Sequence, residues 1–295
     1  MAHRIRSLSH PRGTRAAAGG VLAATVAALL AGGATGPVTA AAATTSTRSG
    51  STPADFPASV QARGKARVTA AVLDLDGTGR KPAVYGADAP YDTASIIKVD
   101  ILAAMLLRAQ DSGHALTAGE RAQAKAMIER SDNKAANALW RRIGLASGLQ
   151  AANKRLGLTS TKGGPGAKWG LTRTTASDQI RLLRTVFDTV PNQKAGSASA
   201  LNDTSRTCLR TLMSHIAADQ SWGVSAAADS GWALKNGWLQ RNTTGLWDVN
   251  SVGRITAGGH HYLVAVLSDG STSMKDGVAL VERAARAAVS SATAH

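Results

Sequence analysis

The chain has 295 residues, is 44% apolar and 18% charged, and carries 34 Lys+Arg against 19 Asp+Glu, a formal charge of +15. That much apolar material excludes an intrinsically disordered chain, and a lone cysteine, Cys208, excludes a disulfide-stapled scaffold. No Cys/His cluster has zinc-ligand spacing, so neither a metal nor a cofactor is expected.

The first forty residues read as a processing segment. Arg4, Arg6, Arg12 and Arg15 form a basic region with no acid, Ala16 to Ala31 is apolar, and Gly32 to Ala43 is a run of small residues. Val38-Thr39-Ala40 and Ala40-Ala41-Ala42 are candidate cleavage tripeptides. This order is that of a secretory signal. The absence of a following Cys argues against a lipid anchor there, and the absence of an Arg-Arg pair favours the general secretion route. The apolar stretch is short for an uncleaved anchor, since a full span needs about 20 residues. Removing residues 1–42 removes four arginines and no acid, leaving +11. Residues 43–58 then form a flexible Thr/Ser/Gly-rich leader, and 59–295 one folded domain of two packed lobes.

The folded part opens with a β-rich run, Ala66 to Leu75, a turn at Asp76-Gly77, and a hairpin partner from Pro82 to Gly86. Ile96 to Ala109 is a helix apolar on nearly every side, as suits the middle of a core. A capping box, Thr117 to Glu120, starts the next helix, which runs to about Arg130. Further helices are expected from Asp132 to Ile143 and over Leu149–Leu156, with a Gly/Lys/Pro loop from Ser160 to Trp169. Thr175 to Asp178 opens a helix to about Val190, and another spans Ser205 to Ala218. Three strands follow, Gly231–Leu239, Trp247–Thr256 and His261–Leu267, then a last helix from Ser273 to Val289. The fold class is therefore α/β (α+β): one five-stranded antiparallel sheet made by both chain ends, with an all-helical lobe inserted.

Three short segments carry chemistry. In Ser95-Ile96-Ile97-Lys98 the i and i+3 positions share a helix face, so Lys98 can point at the Ser95 hydroxyl. A serine needs a base to act as a nucleophile, and burial can lower a lysine pKa enough to supply one. The same pattern recurs from Ser131 to Lys134, and a serine there is equally an N-cap, so it decides nothing alone. Ser131-Asp132-Asn133 lies in a turn between helices: a second serine can relay a proton, and an asparagine can accept from a lysine and donate to an amide. These residues also favour a plain helix cap. Lys235-Asn236-Gly237-Trp238 falls in a late strand, where glycine permits close backbone approach and the next N–H can face an oxyanion. Asn-Gly is equally a hairpin-turn signal.

Taken together and in this order, S-x-x-K, S-D-N and K-x-G resemble the motif set of the class A β-lactamase and penicillin-binding superfamily. The resemblance covers about Val68 to Val289, and includes Ala135-Ala136-Asn137 after the second motif and Thr174-Thr175-Ala176 at a helix start. It implies that Ser95 is acylated, Lys98 is its base or proton shuttle, and Ser131 passes a proton to the leaving nitrogen. Asn133 would hold Lys98 and the substrate amide, Lys235 would attract a substrate carboxylate, and the N–H groups of Ser95 and Trp238 would bind the oxyanion.

The sequence departs from the family pattern in three places. No Glu lies between Asn133 and Lys235, where class A enzymes carry the glutamate that activates the deacylating water; the corresponding region reads Gly166 to Thr172. Asp178 is the nearest carboxylate and reads as a structural cap. Asn236 replaces the hydroxyl residue of K-T-G; an amide can donate in its place, with a different reach. Only 36 positions separate Ser95 from Ser131, which implies a more open site lacking an aromatic edge. Of Trp222, Trp232, Trp238 and Trp247, only Trp238 is expected to serve the site; the others read as core and sheet anchors.

The resulting expectation is a secreted, monomeric serine hydrolase acting through an acyl-enzyme on a β-lactam or related amide, with slow deacylation. The alternatives are a cell-wall D,D-peptidase, amidase or esterase on the same scaffold, and a non-catalytic wall-binding relative. The substrate is expected to be a small molecule or a peptidoglycan-derived piece. No nucleic-acid partner is expected, and the residual positive charge suits weak association with an anionic envelope.

Overall fold

The alternation that suggested strands is resolved on both faces of a single sheet. The structure is a computed structural model that describes residues 60, 62, 64–189 and 200–293. These all lie in the unit from Ser51 to His295. The expected signal and the leader lie outside them.

Strands β1 (Arg67–Asp74), β2 (Ala83–Tyr85), β5 (Trp232–Gln240), β6 (Trp247–Ala257) and β7 (His260–Ser271) form an antiparallel sheet in the order β2-β1-β7-β6-β5. Both ends of the chain contribute, as the strand–helix–strand order implied. Ala71, Leu73, Leu263, Ala265 and Leu267 face one core; Ala70, Val72, Val264 and Val266 face the other. The second core is closed by α7 (Met274–Thr293) through Val281, Ala284, Ala285 and Ala288. Burial on both faces explains why β7 reads as a continuous apolar run.

The first core belongs to the helical lobe: α1 (Ile97–Ser112), α2 (Ala118–Glu129), α3 (Asn133–Ile143), α4 (Leu145–Leu156), α5 (Ala176–Phe187) and α6 (Asp203–Met213). Every residue of α1 from Ile97 to Leu107 is buried, so this helix is the axis of the lobe. It ends at Gly113, whose φ of +69° supports the left-handed cap. The Thr117 capping box is complete, with Glu120 reaching back to the cap N–H. Thr175 caps α5, while the Asp178 carboxylate turns away to Ser160 N and Thr161 Oγ1, both at 2.8 Å, pinning the start of the loop that runs to Thr172.

Several boundaries differ from expectation. Helix α4 begins at Leu145, four residues early, because Gly144 at φ +96° lets a new helix start directly after α3. Helices α5 and α6 stop short, at Phe187 and Met213. A small sheet of β3 (Tyr91–Asp92) and β4 (Arg173–Thr174) was not anticipated; two-residue strands carry no period to read. Among the described residues, no helix is long and apolar enough to cross a membrane.

Candidate active site

Ser95 sits in a single 3-10 turn, Ala94–Ile96, that leads into α1. Ala94 holds a left-handed φ of +46°, an unfavourable conformation for a residue with a Cβ. The turn is fixed from outside. Asn250 of β6, fully buried, donates from Nδ2 to Asp92 O (2.9 Å) and Thr93 O (3.1 Å), and Thr93 N–H donates to Thr172 O (2.8 Å).

One helical turn on, Lys98 points back at the serine. Its Nζ lies 2.9 Å from Ser95 Oγ, 2.9 Å from Ser131 Oγ, 2.7 Å from Ser131 O and 2.8 Å from Asn133 Oδ1. The carbonyl and amide oxygens only accept, so they take two N–H groups. The two hydroxyls share what is left: a third N–H when the amine is charged, a lone pair when it is neutral. Lys98 is fully buried, and burial pushes it down to about 7 against the opposing pull of Asp132. A neutral amine beside Ser95 is thus accessible near neutral pH, the state in which the hydroxyl can donate to nitrogen.

The Ser131-Asp132-Asn133 turn serves both readings of the sequence at once. Asp132 caps α3, accepting from Ala135 N–H at 2.7 Å. Ser131 adopts φ +54°, which turns its carbonyl and hydroxyl toward Lys98. Asn133 is the first residue of α3.

Lys235, Asn236 and Gly237 lie mid-strand in β5, paired with Val252, Ser251 and Asn250, so the Asn-Gly turn does not form. β5 is an edge strand. At the two ends of its ladder with β6, Thr256 N–H donates to Gly231 O and Arg241 N–H to Leu246 O. Bonded pairs recur at every second residue of an antiparallel ladder. Odd-numbered residues of β5 therefore turn their peptide groups to β6, and the even ones, Trp238 included, turn theirs to the open edge. That edge meets the Ser95 turn: a Cβ on Gly237 would lie 2.7 Å from Ser95 N and 2.8 Å from Ile96 N and Thr93 O. The N–H groups of Ser95 and Trp238 can converge only because residue 237 has no side chain.

Lys235 is fully buried, pushed down to about 7 by burial and by the nearby charge of Lys98. Its Nζ donates to Asn236 O at 3.0 Å. Asn236 and Trp238 depart from what the sequence suggested. Both amide hydrogens of Asn236 are committed, to Gln220 O and Trp222 O at 2.8 Å each, so it fastens the 220–222 segment instead of offering a donor to a ligand. The Trp238 ring packs against Trp222, centroids 5.9 Å apart, beside the α7 core, so the residue brings its backbone N–H to the seam rather than its indole.

The aromatic at the site is Trp169, which sequence reasoning passed over as loop. Lys98 Nζ lies 4.7 Å from its ring centroid, and its Nε1 donates to Asn137 Oδ1 at 2.7 Å. The loop is held by Trp140 Nε1, which donates to Gly166 O at 2.8 Å. The signal available was Trp169 standing in a segment, Ser160 to Thr172, that contains no carboxylate. Asn250 was missed as well, since nothing in a strand's period marks a residue that reaches backward to a turn. Among the described residues, the group able to offer metal ligands is Asp74, Asp76 and His260, exposed or half-buried where β1 ends and β7 begins.

The model of the "Beta-lactamase enzyme family" matches residues 116–292, more than half of the chain, starting after Ser95 and Lys98. A comparison with curated proteins finds no match. Among solved structures, TLA-1 extended-spectrum β-lactamase is 17% identical with a TM-score of 0.66, covering 78% of this chain and 94% of that one. A β-lactamase from Xanthomonas campestris is 20% identical with a TM-score of 0.63, covering 77% and 92%. PBP-A is 20% identical with a TM-score of 0.64, covering 79% and 93%; a variant of it is described as an acyl-enzyme complex with penicillin G. These identities establish likeness of fold.

Proposed function

The chain belongs to the β-lactamase enzyme family, and from that premise we propose that it is a secreted serine enzyme that opens a β-lactam or related amide through an acyl-enzyme on Ser95. The observation that carries the proposal is Lys98 Nζ held 2.9 Å from both serine hydroxyls in a buried setting that favours the free amine. Ser95 Oγ attacks the carbonyl carbon as its proton passes to Lys98. The oxyanion lies between the N–H groups of Ser95 and Trp238. Collapse breaks the C–N bond; the leaving nitrogen takes the Ser131 proton, which Lys98 replaces. An ester on Ser95 remains. Lys235 supplies positive charge for a substrate carboxylate, and Asn133, anchored on Lys98, offers its amide N–H groups to the substrate.

A specific observation favours slow release of that ester. The loop over Lys98 presents the face of Trp169 and no carboxylate, so no base on it can activate water. A positioned base contributes about 10²–10⁴-fold. A penicillin-binding or D,D-peptidase role, with an acyl-enzyme that persists until an acceptor arrives, fits this arrangement better than rapid β-lactam hydrolysis. Incubation with a fluorescent penicillin, followed by intact mass, tests both readings. A lasting adduct on Ser95 supports the penicillin-binding role, and transient labelling with turnover supports a β-lactamase. No adduct at high penicillin concentration, or labelling that survives Ser95→Ala and is lost in Ser131→Ala, overturns the proposal.

A further inference from the structure

On the lobe-facing side of the sheet, two residues along β5 from Lys235, Ala233 lines a cavity of about 420 Å³ between the end of β1, β6, α6 and the pair Asp188 and Thr189 after α5. Such a volume suits a small molecule. Its polar lining is dominated by three arginines, Arg80, Arg210 and Arg254, with two carboxylates, Asp76 and Asp188. Both carboxylates are engaged. Asp188 pairs with Arg80 at 2.5 Å and Asp76 Oδ2 bonds His261 Nδ1 at 2.9 Å.

Arg210 and Arg254 line this cavity together, close enough for the charge of Arg254 to act on Arg210. Arg210 Nε donates to Val186 O at 2.7 Å, and the Arg254 guanidinium rests over the Phe187 ring at 6.0 Å. Neither makes an ion pair with a described carboxylate, and Arg210 Nη2 and Arg254 Nε are buried without an acceptor. Burial, with repulsion from Arg206 and Arg254, holds the Arg210 guanidinium below its ordinary value. Two like charges with unmet buried donors on one cavity wall are a costly arrangement unless an anion joins them. An arginine fork is also the preferred recognition group for planar carboxylate and phosphate oxygens. Phe187, Leu75 and Ala233 add apolar wall, which suits an organic body behind the anionic head.

We propose that this cavity is a second binding site, for a small organic anion whose carboxylate or phosphate bridges Arg210 and Arg254. It is independent of the reading of Ser95. The test is calorimetric titration of the mature protein with inorganic phosphate and, separately, malonate, against chloride at equal ionic strength; the two arms distinguish the head group. At least one should bind saturably, weaken about tenfold or more in Arg210→Gln and in Arg254→Gln, and be unchanged in Arg286→Gln, an exposed arginine of α7. No binding above chloride, or binding kept within about twofold in both variants, overturns the proposal. If either variant fails to fold, a selenate soak of wild-type crystals decides: an anion between the two guanidiniums supports the site, and selenate ordered only elsewhere, or not at all, refutes it.

Discussion

Gly237→Ala is the sharpest perturbation of the seam. The new methyl carbon would meet Ser95 N at 2.7 Å, with Ile96 N and Thr93 O at 2.8 Å, whereas ordinary contact begins at 3.4 Å. All three are backbone atoms of a turn already pinned by Asn250 and Thr172, so they cannot swing aside as a flexible side chain would. The edge of β5 must retreat by roughly 0.7 Å, and a misplacement on the order of 1 Å at a reacting centre costs about 10²-fold. The Trp238 N–H retreats with it, and loss of one oxyanion donor costs about 10²–10³-fold. Acylation by fluorescent penicillin should therefore slow by about two orders of magnitude or more, with circular dichroism unchanged because the strand keeps its ladder to β6. An alanine variant acylated within about threefold of wild type would refute the geometry assigned to residue 237.

Other outcomes follow from the same geometry. Lys98→Met removes the base and leaves Ser131 O and Asn133 Oδ1 without their shared donor; acylation should fall by about 10²–10⁴-fold in stopped-flow labelling, and a loss below tenfold would exonerate Lys98. Acylation kcat/KM should rise as Lys98 loses its proton near 7 and fall as Lys235, also lowered to about 7, loses its own. The expected profile is a bell centred near neutrality, and a plateau from about pH 6 to 9 would contradict it. Trp169→Ala admits water to Lys98, which should return its pKa toward the ordinary value and move the rising limb of that profile to higher pH; an unmoved limb would mean that the indole does not desolvate the amine. Asp178→Ala leaves Ser160 N without its acceptor and Thr161 Oγ1 with Thr174 alone, and should cost about 1–3 kcal/mol in urea unfolding, while the folded fraction keeps its activity.

The sequence carried the architecture well because its signals were periodic: two-sided burial of β7, all-round burial of α1 and the two threonine caps each leave a pattern that local physics can read. It carried Ser95 and Lys98 because i and i+3 share a face on any helix. The pieces that were not legible depend on contacts far apart in the chain. Nothing local to Asn250 tells that it holds the turn at Asp92 and Thr93, some 157 residues earlier. Trp169 reaches Lys98 only because Asn137 and Trp140 dock its loop. The strained Ala94 and Ser131 are conformations that neither residue type prefers, so tertiary packing, not propensity, sets them. For Asn236 the sequence showed a missing hydroxyl but not where the amide would turn.

The sheet that both chain ends share has a kinetic consequence. β1 pairs residue by residue with β7, Arg67 with Asp269 and Asp74 with Tyr262, so the innermost contacts of the sheet close across nearly the whole folded chain. Such long-range pairing is slow to nucleate. The Ser95 turn and the β5 edge that meets it are likewise delivered by distant parts of the sequence. A chain still emerging, or cut before β7, can fold helices around α1 but cannot bring Gly237 against Ser95. Covalent labelling of Ser95 would therefore report not partial structure but the moment at which the last strand arrives.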